Sequence, residues 1–429
     1  MSKTKLEIKG KQFYINGKLT YSTIENSNPE VHGLLMNARF IQGIFDDKED
    51  RTRFNRFGRT FDPDKNTDDL IKALPEWYNY GLRAFTVGFQ GGGPCFTMGG
   101  KERSTIDNNP FSSDGTEIDP DYLKRMDRLI RAADDLGMVV IVSYFYWSQT
   151  TPRLKTGNAI VNAVKAASNF LRDNAYTNVI IEIANEHNVS PFGEHDLIRT
   201  AQGISLLMDI ARKESGGLPV GSSGSGGYIN QEEAAASDVV IIHSNKQTRQ
   251  GYYNMIKQVR EWEPNKPIVS NEDSQAIGQL KVAYQSRTSW GYYNNMTKQE
   301  PPVDWSITEG EDRFFAYRMA QGIGLEVPVL PEEEQFHLHG FEKDIEVEGK
   351  RWIRLASLYP ETIDFVEFYR DNELEYVSYD ESFSVNFKGN WSQGPSRVNE
   401  GEKWKAVIHR TNGEIIVKEK TVPKVSTDA

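Results

Sequence analysis

Between residue 34 and about residue 325, short unbroken apolar runs alternate with longer amphipathic segments. A run that is apolar at every position suits a strand covered on both faces, and such strands belong to parallel sheets whose crossovers are helices. The plainest runs are Leu82–Val87, Met138–Tyr144, Val179–Ala184, Leu218–Gly221, Val239–Ile242 and Pro267–Ser270; Leu34–Ala38 and Trp290–Tyr293 complete eight. Between them, Asp119 and Pro120 supply the cap and first residue of a helix that Gly137 ends, and the pattern predicts another helix over 158–174. Eight βα units over roughly 290 residues predict an α/β fold, a (β/α)8 barrel of the TIM type. An open doubly wound sheet fits less well, because no glycine-rich phosphate turn follows the first strand. The segment GFQGGGPC after the second strand lacks the lysine of a phosphate loop and reads as a substrate-side loop.

The two ends have a different texture. LEIKG and QFYI flank a Gly-Lys turn, and Asn16-Gly17 suits a turn with positive φ, so the N-terminus reads as a hairpin. From about residue 331, short alternating segments such as TIDFVEFYRD, KWKAVIHR and EIIVKEK are separated by turn residues that include Asn412-Gly413. That pattern predicts an all-β sandwich, immunoglobulin-like in kind. The expected division is a catalytic barrel with its hairpin over 1–330 and a β-sandwich domain over 331–429.

Charge and composition exclude several classes. The net charge is −11, and no run of Lys and Arg forms a phosphate-binding stripe, so nucleic acid and anionic membrane surfaces are poor partners. No stretch reaches the roughly 20 apolar residues of a membrane-spanning helix. The opening MSKTKLEIKG lacks the apolar core of a signal peptide, which gives a cytoplasmic expectation, or a secreted or periplasmic one if a signal was removed. A lone cysteine, Cys95, rules out internal disulfides and cysteine-cluster metal sites.

In a barrel of this kind, chemistry sits where strands end, so polar residues that close apolar runs are the candidates. NVIIEIANEH ends in Asn185, Glu186 and His187, and KPIVSNED ends in Asn271, Glu272 and Asp273. Cleaving a glycosidic bond with retention needs two carboxyl groups about 5 Å apart, one protonated and one ionised. Glu186 and Glu272 are 86 residues apart, close to the ~90 that three βα units span, which places them on the fourth and seventh strands.

An Asn-Glu pair ending the fourth strand with a second Glu ending the seventh resembles the clan A glycoside hydrolases, the cellulase-like and β-galactosidase-like barrels. The resemblance implies Glu186 as acid/base, Glu272 as nucleophile and Asn185 as the partner of the sugar 2-hydroxyl. It also implies that His243 orients the nucleophile and that Trp290 floors the sugar subsite. His187 and Trp147, next to strand ends, join these as candidate substrate contacts. Many members carry an Arg near the end of the second strand, where this sequence has Thr86, with Arg83 out of phase; Arg39 near the first strand is the candidate replacement.

Duller readings compete. Asp273 rivals Glu272, Glu182 reads as a buried polar group of the barrel interior, and His243 has a core reading as well. His337 and His339 form a His-x-His pair without a third ligand in view, so no metal is expected, and retaining hydrolysis calls for no cofactor. The expected partner is a carbohydrate, hydrolysed by double displacement; a non-catalytic carbohydrate-binding protein on a degenerate barrel is the alternative.

Overall fold

The computed structural model describes residues 2–423, apart from 57, 99–102, 104, 194, 343–345 and 391. Parts of the long 89–118 loop and the end of the expected 331–429 domain therefore lie outside the described residues. The chain begins with an antiparallel meander of β1 (Leu6–Lys9), β2 (Gln12–Ile15) and β3 (Lys18–Leu19). Asn16 and Gly17 both turn at positive φ, 53° and 74°, as the sequence pair suggests. The third strand extends the expected hairpin.

Eight parallel strands follow among the described residues: β4 (Asn37–Arg39), β5 (Ala84–Gly88), β6 (Val139–Phe145), β7 (Val179–Ala184), β8 (Val220–Gly221), β9 (Val240–His243), β10 (Ile268–Glu272) and β11 (Gly291–Tyr292). Six pair in the order β11-β4-β5-β6-β7-β8, and the other two as β10-β9. Backbone contacts join the two sheets. The Asp238 N–H donates to the Val220 carbonyl at 2.8 Å, and Val269 bridges in parallel to Ser289 just ahead of β11. The eight strands thus hydrogen-bond round a ring.

Strand periodicity then sorts side chains into two layers. Val140 and Val142 on β6, Ile181 and Ile183 on β7, and Val240 and Ile242 on β9 point outward into the core beneath the helices. Ala84, Val139, Ile141, Ile180, Val239, Ile241 and Val269 point inward, and Leu6 and Phe13 of the meander close the lower end of this interior core. Further up the same inward columns the side chains become polar: Arg39, Thr86, Ser143, Glu182, His243 and Asn271, all buried. An apolar floor beneath a polar top layer is what places chemistry at one end of the ring.

The helices follow from their own sequences. Pro120–Leu136 buries Tyr122, Met126, Leu129, Ile130 and Ala133, one face at helical spacing. The Asp119 side chain accepts from the Asp121 N–H, and Gly137 stops the helix at φ 81°. Gly157–Asp173 is likewise amphipathic and capped by Thr156.

The remaining strands are β12 (Phe336–His339), β13 (Lys350–Arg351), β14 (Arg354–Ser357), β15 (Ile363–Arg370), β16 (Glu373–Ser378), β17 (Phe387–Gly389), β18 (Ser392–Gln393), β19 (Ser396–Arg397), β20 (Lys403–Arg410) and β21 (Ile415–Thr421). All of their strand pairings are antiparallel. A four-stranded sheet, β16-β15-β20-β21, turns Val366, Phe368, Trp404, Ala406 and Ile408 into a second core shared with Leu338 and Leu355 of β12 and β14.

This region docks on the ring through polar contacts. Arg354 forks onto Glu311, at the start of the helix Glu311–Ile323, with Nη2 2.6 Å from Oε2. Gln275 donates to Ser382 at 3.2 Å, and the Gly278 N–H donates to the Glu381 carboxylate at 3.1 Å. Burial pushes the Glu381 carboxyl up to about 8. An unfolded Glu loses its proton near 4.3, so this group's contribution to stability is complete below that pH and is lost as pH rises through about 8. Melting temperatures of wild type should therefore fall more steeply from about pH 5 to about pH 9 than those of Glu381→Gln. Parallel slopes in calorimetry would contradict the assignment.

Candidate active site

Two backbone devices aim the glutamates. Past the end of β7 the chain turns sharply, and Glu186 adopts φ 50°, a left-handed conformation that costs a non-glycine residue energy and is found where surrounding structure holds it. The holding contacts are the Asn185 N–H on the Phe145 carbonyl at 2.9 Å, and the Glu186 N–H on the Ser223 hydroxyl at 3.2 Å. On β10 the register slips between Ser270 and Glu272, a bulge that re-aims a side chain. Asn271 keeps the inward parity of Val269, donating to Glu182 at 3.0 Å, and the slip turns Glu272 to the mouth beside His243.

The cluster is tight. One donor atom each from Glu186, His243 and Glu272 falls within 4.8 Å of the other two. Nδ1 of His243 is 3.4 Å from Glu186 Oε1 and 3.6 Å from Glu272 Oε2, and its Nε2 is 3.9 Å from Glu182 Oε1. Arg39 Nε lies 2.9 Å from Glu272 Oε2, and its Nη2 donates to the Asn185 side chain at 2.6 Å. Asn245 donates to the other Glu272 oxygen at 2.7 Å. One Glu272 oxygen therefore accepts an N–H, and the other lies in an ion pair with Arg39.

Electrostatics follows from this crowding. Burial opposes charge on His243, yet the Glu272, Glu182 and Glu186 carboxylates outweigh it and raise the imidazole to about 9. Glu182 is held down to about 2: its burial is overcome by His243 and Arg39. Burial pushes Glu272 above its ordinary value; the Glu186 and Glu182 charges add to that push, and together they overcome the pull of Arg39 and His243. Against the upward push of its own burial, His243 holds Glu186 below its ordinary value. The trio is a poor cation site, because a protonated imidazole has no lone pair to offer and Arg39 already neutralises Glu272.

The expected residues divide. Glu186, Glu272, Asn185, His243 and Arg39 come together, and Arg39, paired in register with Thr86, reaches Glu272 from the neighbouring strand. Trp147 is half-buried at the start of the helix Trp147–Arg153, next to Tyr146 and under the Arg103 guanidinium. Two expectations are corrected. Trp290 has no exposed surface; it shares outward parity with Tyr292, packs on Phe315 of the last helix and donates to Asp273 at 2.7 Å. His187 is equally enclosed, between Glu233 at 2.9 Å and the Ile198 carbonyl at 3.0 Å. Asp273, rival to Glu272, points the same way as Trp290 and is fully bonded to Trp290, Ser244 and Ser274.

Sequence reasoning missed Asn245, although it lies two residues past His243 with the same parity. It missed Tyr293, one residue past the outward Tyr292, whose ring lies 5.5 Å from the Arg39 guanidinium. It also missed Glu300, whose carboxylate takes the N–H groups of Cys95, Phe96 and Thr97 and so anchors the glycine-rich loop. That loop presses on the site: a Cβ at Gly92 would lie 2.5 Å from the Tyr146 ring. The C-terminal region contributes too. Asn390 accepts from the Lys246 N–H at 2.8 Å and donates to the Gln247 carbonyl at 3.0 Å, clamping the turn that carries Asn245.

Fold and site together define a mixed α/β protein whose parallel strands converge on a buried cluster of carboxylates, imidazole and guanidinium. Among solved structures it is similar to the β-glucuronidase of Parabacteroides merdae (13% identity, TM-score 0.43), covering 97% of this chain and 50% of that one. A putative β-galactosidase from Bacteroides fragilis is 12% identical at TM-score 0.42, covering 98% of this chain and 57% of that one. A β-mannanase from the blue mussel Mytilus edulis is 12% identical at TM-score 0.44, covering 75% of this chain and 98% of that one. The chain thus spans about half the length of the glucuronidase it matches. Neither a described family nor a curated protein matches the sequence. No helix among the described residues is long and apolar enough to cross a membrane.

Proposed function

We propose that this chain is a retaining glycoside hydrolase, with Glu272 as nucleophile and Glu186 as acid/base, acting on an oligo- or polysaccharide. The observation that carries the reading is the approach of the two carboxylates, with oxygens within 4.8 Å. Retention needs about 5–5.5 Å between carboxyl groups, whereas inversion needs about 6.5–9.5 Å to admit a water.

In the first step a Glu272 oxygen bonds to the anomeric carbon as the glycosidic C–O bond breaks, and the Glu186 proton passes to the leaving oxygen. In the second, water attacks the same carbon, gives its proton to Glu186 and displaces Glu272. Glu272 suits the ionised role because Asn245 donates to one oxygen and the Arg39 guanidinium lies 2.9 Å from the other. The Glu186 side chain keeps 20% of its exposure; a bound sugar removes that water and raises its proton affinity at the moment the acid is needed. Asn185 accepts from Arg39 through its oxygen, which leaves its amide nitrogen to donate to a sugar hydroxyl. Tyr146, Trp147 and Tyr293 are the proposed ring contacts. Residues 1–330 are the proposed catalytic unit and 331–429 a packing module of sandwich type, a division supported by the Asn390 clamp and the Arg354–Glu311 fork.

Reducing-sugar release from a panel of neutral and acidic polysaccharides tests the reading, with the first-formed anomer followed by NMR. Release with the anomer retained is expected. An inverted anomer would overturn the mechanism, and binding without release from any glycan would favour the silent carbohydrate-binding barrel.

A further inference from the structure

His337 and His339 lie two residues apart on β12, so both rings leave the same face of the strand. Their centroids are 4.4 Å apart. The chain then turns back, and the carboxylate of Glu342 inserts between them: its Oε1 lies 3.4 Å from His337 Nε2 and 3.1 Å from His339 Nδ1. One donor atom from each of the three falls within 4.8 Å of the others. The remaining Glu342 oxygen accepts the Gly340 N–H at 2.9 Å, which fixes the carboxylate plane.

These distances fit a metal. A tetrahedral ion with bonds of about 2.0–2.1 Å to nitrogen and carboxylate oxygen holds its ligand atoms about 3.3 Å apart. The two edges from Glu342 bracket that separation. The far side of His339 is built as well. Gly310 has no Cβ, and one placed there would sit 2.3 Å from His339 Nε2, so the ring abuts the first turn of the helix Glu311–Ile323. His339 Nε2 accepts the Glu311 N–H at 3.2 Å and lies 4.0 Å from the Glu311 carboxylate. Ligation through Nδ1 puts the ring proton on Nε2, which then gives up the Glu311 N–H and turns to the Glu311 carboxylate 4.0 Å away, the carboxylate–histidine–metal arrangement reached by a small ring movement.

We propose that His337, His339 and Glu342 form a binding site for a divalent late first-row cation, zinc above all, with the fourth position left to water. Two imidazoles with one carboxylate make a recognised zinc donor set, and imidazole favours such ions over magnesium or calcium. The site ties β12 and the turn after it to the helix that follows the eighth ring strand, beside the Arg354–Glu311 fork. It is separate from Glu186 and Glu272, and holds whether or not the chain is a hydrolase.

The test is zinc binding by the chelator-stripped full chain, using Zn2+ alone in calorimetry and Co2+ absorption for coordination geometry. One equivalent should bind, Co2+ should give a tetrahedral spectrum, and zinc should raise the melting temperature. Glu342→Gln, a surface change, and His337→Ala should each weaken binding at least ~10-fold, whereas Glu186→Gln should leave it unchanged. Absence of saturable binding, undiminished binding in both site variants, or its loss in Glu186→Gln would overturn the proposal.

Discussion

Glu272→Gln is expected to abolish turnover, by on the order of 10^4-fold or more, while the chain still folds. The variant loses more than a nucleophile. In the native cluster the Glu272 and Glu186 carboxylates face each other and their charges repel. Without the Glu272 charge the Glu186 carboxyl is held lower still, so less of it carries the proton on which acid catalysis depends. Its carboxyl should titrate lower in the variant than in the native chain, which 13C NMR of labelled glutamate reads directly. A Glu272→Gln protein with near-native rates would remove Glu272 from the mechanism. Unchanged titration of Glu186 would show that the two carboxylates do not feel each other's charge.

The ring was readable in the sequence because its strands are buried on both faces, which leaves continuous apolar runs. All eight expected runs overlap strands, with ends displaced by up to three residues, as for Leu34–Ala38 against Asn37–Arg39. Such shifts matter little for topology and a great deal for a site, because one residue of slip moves a side chain to the other face. Trp290 shows this: it is near the strand end in sequence, yet its outward parity sends it into the helix layer with Phe315. The bulge on β10, invisible in KPIVSNED, is what separates Glu272 from Asp273. Arg39 was readable as a cation near the first strand, whereas its reach across to Glu272 depends on register with Thr86. Glu300 and Glu342 were not readable, since each acts on a partner brought to it by a loop. The Asn390 clamp joins residues 143 and 144 positions apart, a contact that no local pattern encodes.

Glu186→Gln should behave differently from the nucleophile variant, and the difference identifies the role. Removing Glu186 takes away a charge that pushes the Glu272 carboxyl up, so the nucleophile ionises more readily and keeps its ion pair with Arg39 and its hydrogen bond from Asn245. Attack at the anomeric carbon is then intact, and what fails is proton delivery to the leaving oxygen. A sugar leaving group needs that proton and should slow by about 10^2–10^4-fold. A nitrophenolate leaves without it, so the first step on an aryl glycoside should be nearly unchanged. The second step still lacks its base, so the glycosyl-enzyme should accumulate, giving a burst of nitrophenolate followed by slow turnover. Intact-mass spectrometry during that slow phase should find the chain heavier by one glycosyl unit, attached at Glu272. Equal losses on both leaving groups, with no burst and no adduct, would mean that Glu186 holds the site together without donating a proton.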